Sequence, residues 1–366
     1  MIPMKTGCLE IRENYPLKEL TTFGVGGPAR YFAVAESEDD VVGALDFAKG
    51  RKLPIFVLGG GSNVLVSDAG FPGLVILVRI KGFSSRTEGE DGVVCAGAGE
   101  DWQDFVDRCV SSNWQGVECL SGIPGTVGAA PVQNIGAYGQ DVSETIAGVR
   151  AIGTDTGKAV FFSNEECAFA YRKSIFNSVY AGKYIITGVT FRLKQNGLPA
   201  IRYREIEKHF KGGGAVTLQQ VRDAVISMRN AKGLLVCKGH ESFMSAGSFF
   251  KNPLVPADMF KEIEGLVQKS GGCTNWAWTF HSGEVKLSAA CLIQCAGFSR
   301  GYRKGNVGMS PNHTLIIINL GGANSQEIAD FAREIQVKVK ELFGVFLRPE
   351  IRLIGYPISC LEQLDE

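Results

Sequence analysis

Along SQEIADFAREIQVKVKELF the apolar residues Ile328, Phe331, Ile335, Val339 and Leu342 recur at helical spacing. One stripe of a long helix therefore faces a core, and Gly344 ends it. The following VFLRPEIRLIG alternates instead, with Leu347, Ile351 and Leu353 on one face of a strand and Arg348, Glu350 and Arg352 on the other. Two more helices carry their own start signals. Ser37 and Asp40 form a capping pair for SEDDVVGALDFAKG, with Gly50 as its stop, and Thr217 and Gln220 form a capping box for LQQVRDAVISMRNAK. ARYFAVA reads as a strand, LPIFVLGGGSNVLV as strand, glycine turn and strand, and GLVILVRI as a third. GVVCAGAG and EDWQDFVDRCVSSN repeat the order strand then helix, and VRAIGT, GKAVFF and KYIITGVTFRLK predict a mostly antiparallel sheet. The fold class is α+β. Residues 1–200 are expected to form one domain of two lobes, about 1–80 and 81–200. Residues 201–366 form a second, entered through the polar, glycine-rich KQNGLPAIRYREIEKHFKGGG.

One stretch fits neither period. GIPGTVGAAPVQNIGAYG, Gly122 to Gly139, holds no charged side chain and is punctuated by glycine and proline too often for a helix interior or a central strand. Either it is a buried connector or its backbone lies against a ligand. LGGGSNVLV is a second such segment: Gly59, Gly60 and Gly61 follow an apolar strand and precede Ser62 and Asn63. That turn can aim several backbone N–H groups at a phosphate, although a plain tight turn uses the same residues. Two glycine-rich segments without carboxylates in one domain favour a diphosphate cofactor. A Rossmann nicotinamide site is excluded. Gly97 and Gly99 come nearest to its fingerprint, but Trp102 stands in place of the third glycine, and Glu100 and Asp101 would face the pyrophosphate.

Composition narrows the partners. The 366 residues are 45% hydrophobic and 21% charged, an ordinary globular balance. Lys+Arg and Asp+Glu both number 38, which argues against nucleic acid held by bulk charge. No apolar run approaches the ~20 residues of a membrane span. The N-terminal MIPMKTGCLEIRENYPL lacks the continuous apolar region of a signal peptide, so a cytoplasmic location is expected. Ten cysteines include no C-x-x-C, the nearest pair being Cys291 and Cys295. Most sit among apolar neighbours, as in GVVCAGAG and GVECLSG, and read as small core residues in a reducing compartment; no metal site is expected.

The segments TTFGVGGPA, LGGGSNVLV, LSGIPGTVGAAPVQNIGAYG, AYRKSIF, SAGSFFKNP and LRPEIRLIG occur in this order from Thr21 to Gly355. Together they closely resemble the UDP-N-acetylenolpyruvoylglucosamine reductases, flavin enzymes that complete UDP-N-acetylmuramate for bacterial cell walls. The resemblance implies a two-lobed FAD-binding domain of the vanillyl-alcohol-oxidase type. An α+β substrate-binding domain follows, whose last strand returns to the active site. It also implies a UDP-sugar substrate, NADPH as co-substrate and a monomer. The flavin contacts it implies are Gly59, Gly60, Gly61, Ser62, Asn63, Gly122, Ile123, Pro124, Gly125, Thr126, Gly128, Ala129, Asn134, Gly136 and Tyr138. Some relatives in the superfamily hold flavin through a histidine in the glycine-rich loop. GGGSN has none, so FAD is expected to be non-covalent.

Reducing an enolpyruvyl ether adds hydride to one alkene carbon and a proton to the next. The charge that builds toward the adjoining carboxylate needs cationic or hydrogen-bonding partners, and the proton needs a positioned acid. The family's arginine, serine and glutamate match Arg172, Ser248 and Glu350. Taken alone, each has a plainer reading: a surface arginine, a turn serine, and a charge ladder on an edge strand marked by Pro349. Substrate contacts match at Tyr203, of the subgroup with a tyrosine loop, and at Lys232, Lys251, Asn252 and Gln294. The chain departs from the family in GLLVCKGHESFM after Lys232 and in CLIQCAGFSRG around Gln294. An FAD oxidase of an alcohol or sugar is the alternative reaction class, and it would make peroxide. A non-enzymatic flavin or nucleotide-sugar binding module would show no turnover.

Overall fold

The computed structural model describes residues 4–6, 9–212, 214–235, 242–274, 276–279 and 283–356. The chain divides into two compact units. The first comprises the residues up to Tyr15, Ala29–Gly61 and Pro72–Ala231; the second comprises Pro16–Pro28, Ser62–Phe71 and the residues from Lys232 onward. The division therefore falls after Ala231 rather than near 200, and two early segments join the second unit.

In the first unit one sheet runs in the order Met4–Thr6, Leu9–Pro16, Pro28–Ala35, Phe71–Val78, Ile55–Leu58, its last two strands parallel. Helix α1, Glu38–Gly50, starts where the sequence places it. The Asp40 amide donates to the Ser37 hydroxyl at 3.1 Å, and the Asp40 carboxylate accepts from the Glu36 amide at 3.0 Å. The helix ends at Gly50 as expected, and the left-handed turn that follows is made by Lys52, at φ 53°.

The second sheet is antiparallel, in the order Ala159–Ser163, Ile146–Gly153, Tyr184–Gln195, Asp91–Gly97, Phe83–Glu88. Helix α2, Trp102–Ser111, buries Trp102 and Phe105, the latter 4.5 Å ring to ring from Phe191. Asp101 caps that helix by accepting from the amides of Gln103 and Asp104. The helix end that a Rossmann pyrophosphate would occupy is thus filled by the chain's own carboxylate. Helices α3, Arg204–His209, and α4, Leu218–Ala231, complete the unit. Val221 and Val225 of α4 pack with Cys119, Tyr138, Ala200 and Ile206 in a small core beneath the second half of the uncharged stretch.

The second unit contains α5, Ala257–Lys269, α6, Ala289–Cys295, and α7, Ser325–Phe343. Asn324 caps α7 at Glu327, and Gly344 closes it in the left-handed conformation. The apolar stripe of α7 is buried except at its last turn, where Phe343 rather than Leu342 turns inward. VFLRPEIRLIG keeps the expected faces, with Leu347 and Ile351 buried and Arg348 and Arg352 exposed. Its regular part is only Arg352–Ile354, paired in parallel with Val64–Val66. Pro349, which has no N–H to donate, makes an isolated pairing with Phe250.

Cys109, Cys119 and Cys167 are buried thiols, as their neighbours predict, and burial pushes each thiol up. Cys273 and Cys291 are not plain core residues: they are joined as a disulfide. Among the described residues no helix is long and apolar enough to cross a membrane.

Candidate active site

The two glycine-rich segments lie against each other. A Cβ added at Gly60 would stand 2.8 Å from the Gly125 Cα, closer than real side chains approach. A residue with a side chain there would push the two backbones apart. The amides of Gly60, Gly61, Ile123 and Gly125 meet no acceptor among the described residues, so four donors stand open along this seam. Such a donor set, free of carboxylates, fits the diphosphate of FAD. Other residues of the stretch build the seam. The Gly122 amide donates to the Gln103 side chain, and the amides of Gly128 and Ala129 donate to the carbonyls of Ala98 and Thr126. Pro124 is half-buried, and Thr126 is buried and paired with Asp101.

Asn134 departs from a simple contact role. Its side chain donates to the Ala170 carbonyl at 3.1 Å and accepts from the Ser143 amide at 3.1 Å. The acceptor end ties the uncharged stretch to the turn at Ser143, and the donor end ties it to AYRKSIF. Within that segment Arg172 sits at φ 53° and donates from Nη2 to the Gly136 carbonyl at 2.9 Å. Asn177 holds the Arg172 carbonyl and Ser174 holds Val132, so the turn carrying the guanidinium is clamped on both sides. Tyr138 is buried edge-on to Tyr203, with ring centres 5.5 Å apart. Burial raises the Tyr138 phenol to about 12 and raises the Tyr203 phenol as well. Arg229 of α4 joins them. Burial lowers its guanidinium to about 10; the nearby Tyr138 opposes the fall and the like charge of Arg172 adds to it. Two guanidinium groups and two phenols thus converge in the first unit. Arg229 was not among the residues singled out from sequence. Its signal is a charge placed four residues after Val225 on the buried stripe of α4.

The second unit assembles the other residues. SAGSFFKNP is threaded between two neighbours: the Phe249 amide donates to Leu315, the Lys251 amide to Arg348, and the Glu350 amide to Phe249 at 2.7 Å. Ser248 and Glu350 are thereby placed on adjoining extended segments. The Ser248 hydroxyl makes no hydrogen bond among the described residues, although a turn serine normally bonds its own backbone. Asn63 fixes the strand beside it. Its side-chain amide donates to the Glu350 carbonyl at 3.2 Å, and its own carbonyl accepts from the Arg352 amide at 3.0 Å. Ser62 precedes it in the same unit.

The remaining substrate candidates are dispersed. Lys251 is half-buried. The Asn252 side chain accepts from the Ala289 amide at the start of α6, and Gln294 lies on the exposed face of that helix. Lys232 follows α4 directly, three residues past Arg229; the divergent stretch after it runs through residues 236–241, outside the described residues.

An α+β chain whose first unit carries a glycine-lined seam of open backbone donors is built as an FAD-binding oxidoreductase. Family comparison agrees: residues 29–163 match the FAD binding domain, and residues 239–354 match the C-terminal domain of UDP-N-acetylenolpyruvoylglucosamine reductase. The reductase of Thermobifida fusca is 42% identical over 349 residues, covering 93% of this chain and 97% of that protein. That of Cutibacterium acnes is 39% identical, covering 96% and 93%. The crystal structure of the reductase from Thermus caldophilus shares the fold, with a TM-score of 0.62 at 24% identity over 95% of this chain and 99% of that one. The chain belongs to the UDP-N-acetylenolpyruvoylglucosamine reductase family.

Proposed function

We propose that this protein reduces the enolpyruvyl group of UDP-N-acetylglucosamine enolpyruvate to give UDP-N-acetylmuramate, in the cytoplasm and as a monomer, for peptidoglycan precursor synthesis. Growth in cell shape and division would depend on that product. The open amides of Gly60, Gly61, Ile123 and Gly125 would hold FAD without a covalent bond, and the flavin would supply hydride, drawn from NADPH, to the terminal alkene carbon. Addition there leaves an electron pair that moves toward the substrate carboxylate. Arg172 neutralises that charge, with Glu350 as a hydrogen-bonding partner. Ser248 donates the proton that completes the adjoining carbon. Tyr203, Lys232, Lys251, Asn252 and Gln294 are the positions assigned to the nucleotide sugar.

The observation that carries this reading is the uncommitted Ser248 hydroxyl on the segment paired with Glu350. The deciding experiment is anaerobic. Flavin reduced by NADPH is mixed with the enolpyruvyl sugar, and the return of oxidised flavin absorbance is followed. Reoxidation without oxygen supports the reductase. Substrate-dependent peroxide in air, with no such reoxidation, would mark the oxidase, and absence of both would mark a binding module.

A further inference from the structure

Cys273, in the turn after α5, and Cys291 and Cys295, on α6, bring three sulfurs within 4.8 Å of one another. Cys291 and Cys295 are four residues apart on one helix and share its face; Cys273 arrives from 18 residues upstream of Cys291. Cys291 is buried and the other two are half-buried. The Cys273–Cys291 disulfide uses two of these sulfurs, and helical spacing sets the third beside them.

Thiol–disulfide exchange would explain a third sulfur only if it stood in line with the S–S bond. An in-line attacker sits roughly 5.5 Å or more from the far sulfur, outside the observed triangle. A metal ion can instead hold all three sulfurs at once, because ligation deprotonates a thiol outright. Sulfurs on a tetrahedral Zn²⁺, each at about 2.3 Å, stand about 3.8 Å from one another. The triangle accommodates that spacing with small side-chain adjustments.

We propose that the reduced protein binds one Zn²⁺ through Cys273, Cys291 and Cys295, and that the disulfide is the oxidised, metal-free state of the same site. The fourth ligand position opens on the half-exposed side and takes water or a small thiol. Conversion to the disulfide balances with a peroxide as oxidant. Two thiolates lose two electrons and form the S–S bond, hydrogen peroxide takes those electrons with two protons to become two waters, and Zn²⁺ leaves hydrated. In either state the site ties the end of α5 to α6, whose first amide is held by Asn252.

The test uses the full-length, FAD-loaded protein, reduced with a phosphine, stripped of metal and kept anaerobic. Titration with Co²⁺ should give one equivalent of tetrahedral thiolate absorption, both as sulfur-to-metal charge transfer and as bands to the red of the flavin. One equivalent of Zn²⁺ should abolish it. Cys273→Ser, Cys291→Ser and Cys295→Ser should each lose the Co²⁺ spectrum while keeping flavin absorbance. Cys237→Ser, at a cysteine outside the described residues, should retain it. Absence of the spectrum in the reduced parent protein would overturn the proposal whatever the variants do. So would a Cys295→Ser variant with undiminished colour and stoichiometry.

Discussion

Ser121, Ser174 and Ser178 all donate their hydroxyls to backbone carbonyls, as serines in turns and caps commonly do. Ser248 does not, and that contrast gives its role a direct test. Ser248→Ala should leave reduction of the flavin by NADPH unchanged and slow its reoxidation by the enolpyruvyl sugar about 10²–10⁴-fold. Ser248→Cys should recover part of the rate, since a thiol can donate from nearly the same place. Stopped-flow absorbance in each direction reads both halves; equal modest losses in the two would return Ser248 to a structural role. Gly60 offers a test of the cofactor seam. Gly60→Ala forces a methyl group against the Gly125 backbone, so flavin affinity should fall at least about tenfold, or about 1.4 kcal/mol. The flavin-to-protein absorbance ratio after dialysis measures it. At this scale the motifs single out Arg172, Ser248 and Glu350 as the candidates. They do not single out Arg229, because one arginine in an amphipathic helix resembles any other until its burial beside Arg172 and Tyr138 is known.

Helix α1 shows how an element is held by its neighbours. Arg150 of the strand Ile146–Gly153 donates from Nε and Nη2 to the two oxygens of Glu38, each at 2.7 Å, and the Thr187 hydroxyl adds a third bond at 2.7 Å. The hydrogen bond from Arg150, followed by that from Thr187, lowers the Glu38 carboxyl. A carboxyl lowered in the folded state contributes stability above its unfolded value and loses it as pH falls through the folded one. Glu38→Gln should therefore cost up to about 1 kcal/mol near neutrality, since the pair is partly exposed, and less as pH drops below about 4.5. Thermal melts of both proteins at neutral and acid pH would show the gap closing; a constant gap would place the effect elsewhere. Helix starts were readable because capping is local: Ser37 with Asp40, and Thr217 with Gln220, lie three residues apart. Helix α5 begins at Pro256 without a side-chain cap and gave no such sign. At the far end of α7, Leu342 and Phe343 are equally apolar, and only packing decides which turns inward.

For the molecule as a whole, an open seam of backbone donors and a loop without histidine predict a yellow protein. It should release intact FAD when heated; flavin that stays with the washed precipitate, or FMN in the supernatant, would contradict this. The α+β character and the antiparallel sheet were visible in the strand pattern. The return of an early segment to the second unit was not, because no local signal announces that Val64–Val66 pairs with Arg352–Ile354. Nor did spacing announce that Cys273 meets Cys291. That parallel pairing also sets a timetable for biosynthesis. Asn63 bonds Glu350 across 287 residues of chain, so at about 5–20 residues per second a ribosome needs tens of seconds between making the two partners. The strand Val64–Val66, with Phe23 and Val25 of the same core, emerges early and waits uncovered until the last part of the second unit follows it. A nascent chain of this protein therefore exposes that strand edge during synthesis, and one truncated before Arg352 leaves it open to aggregation.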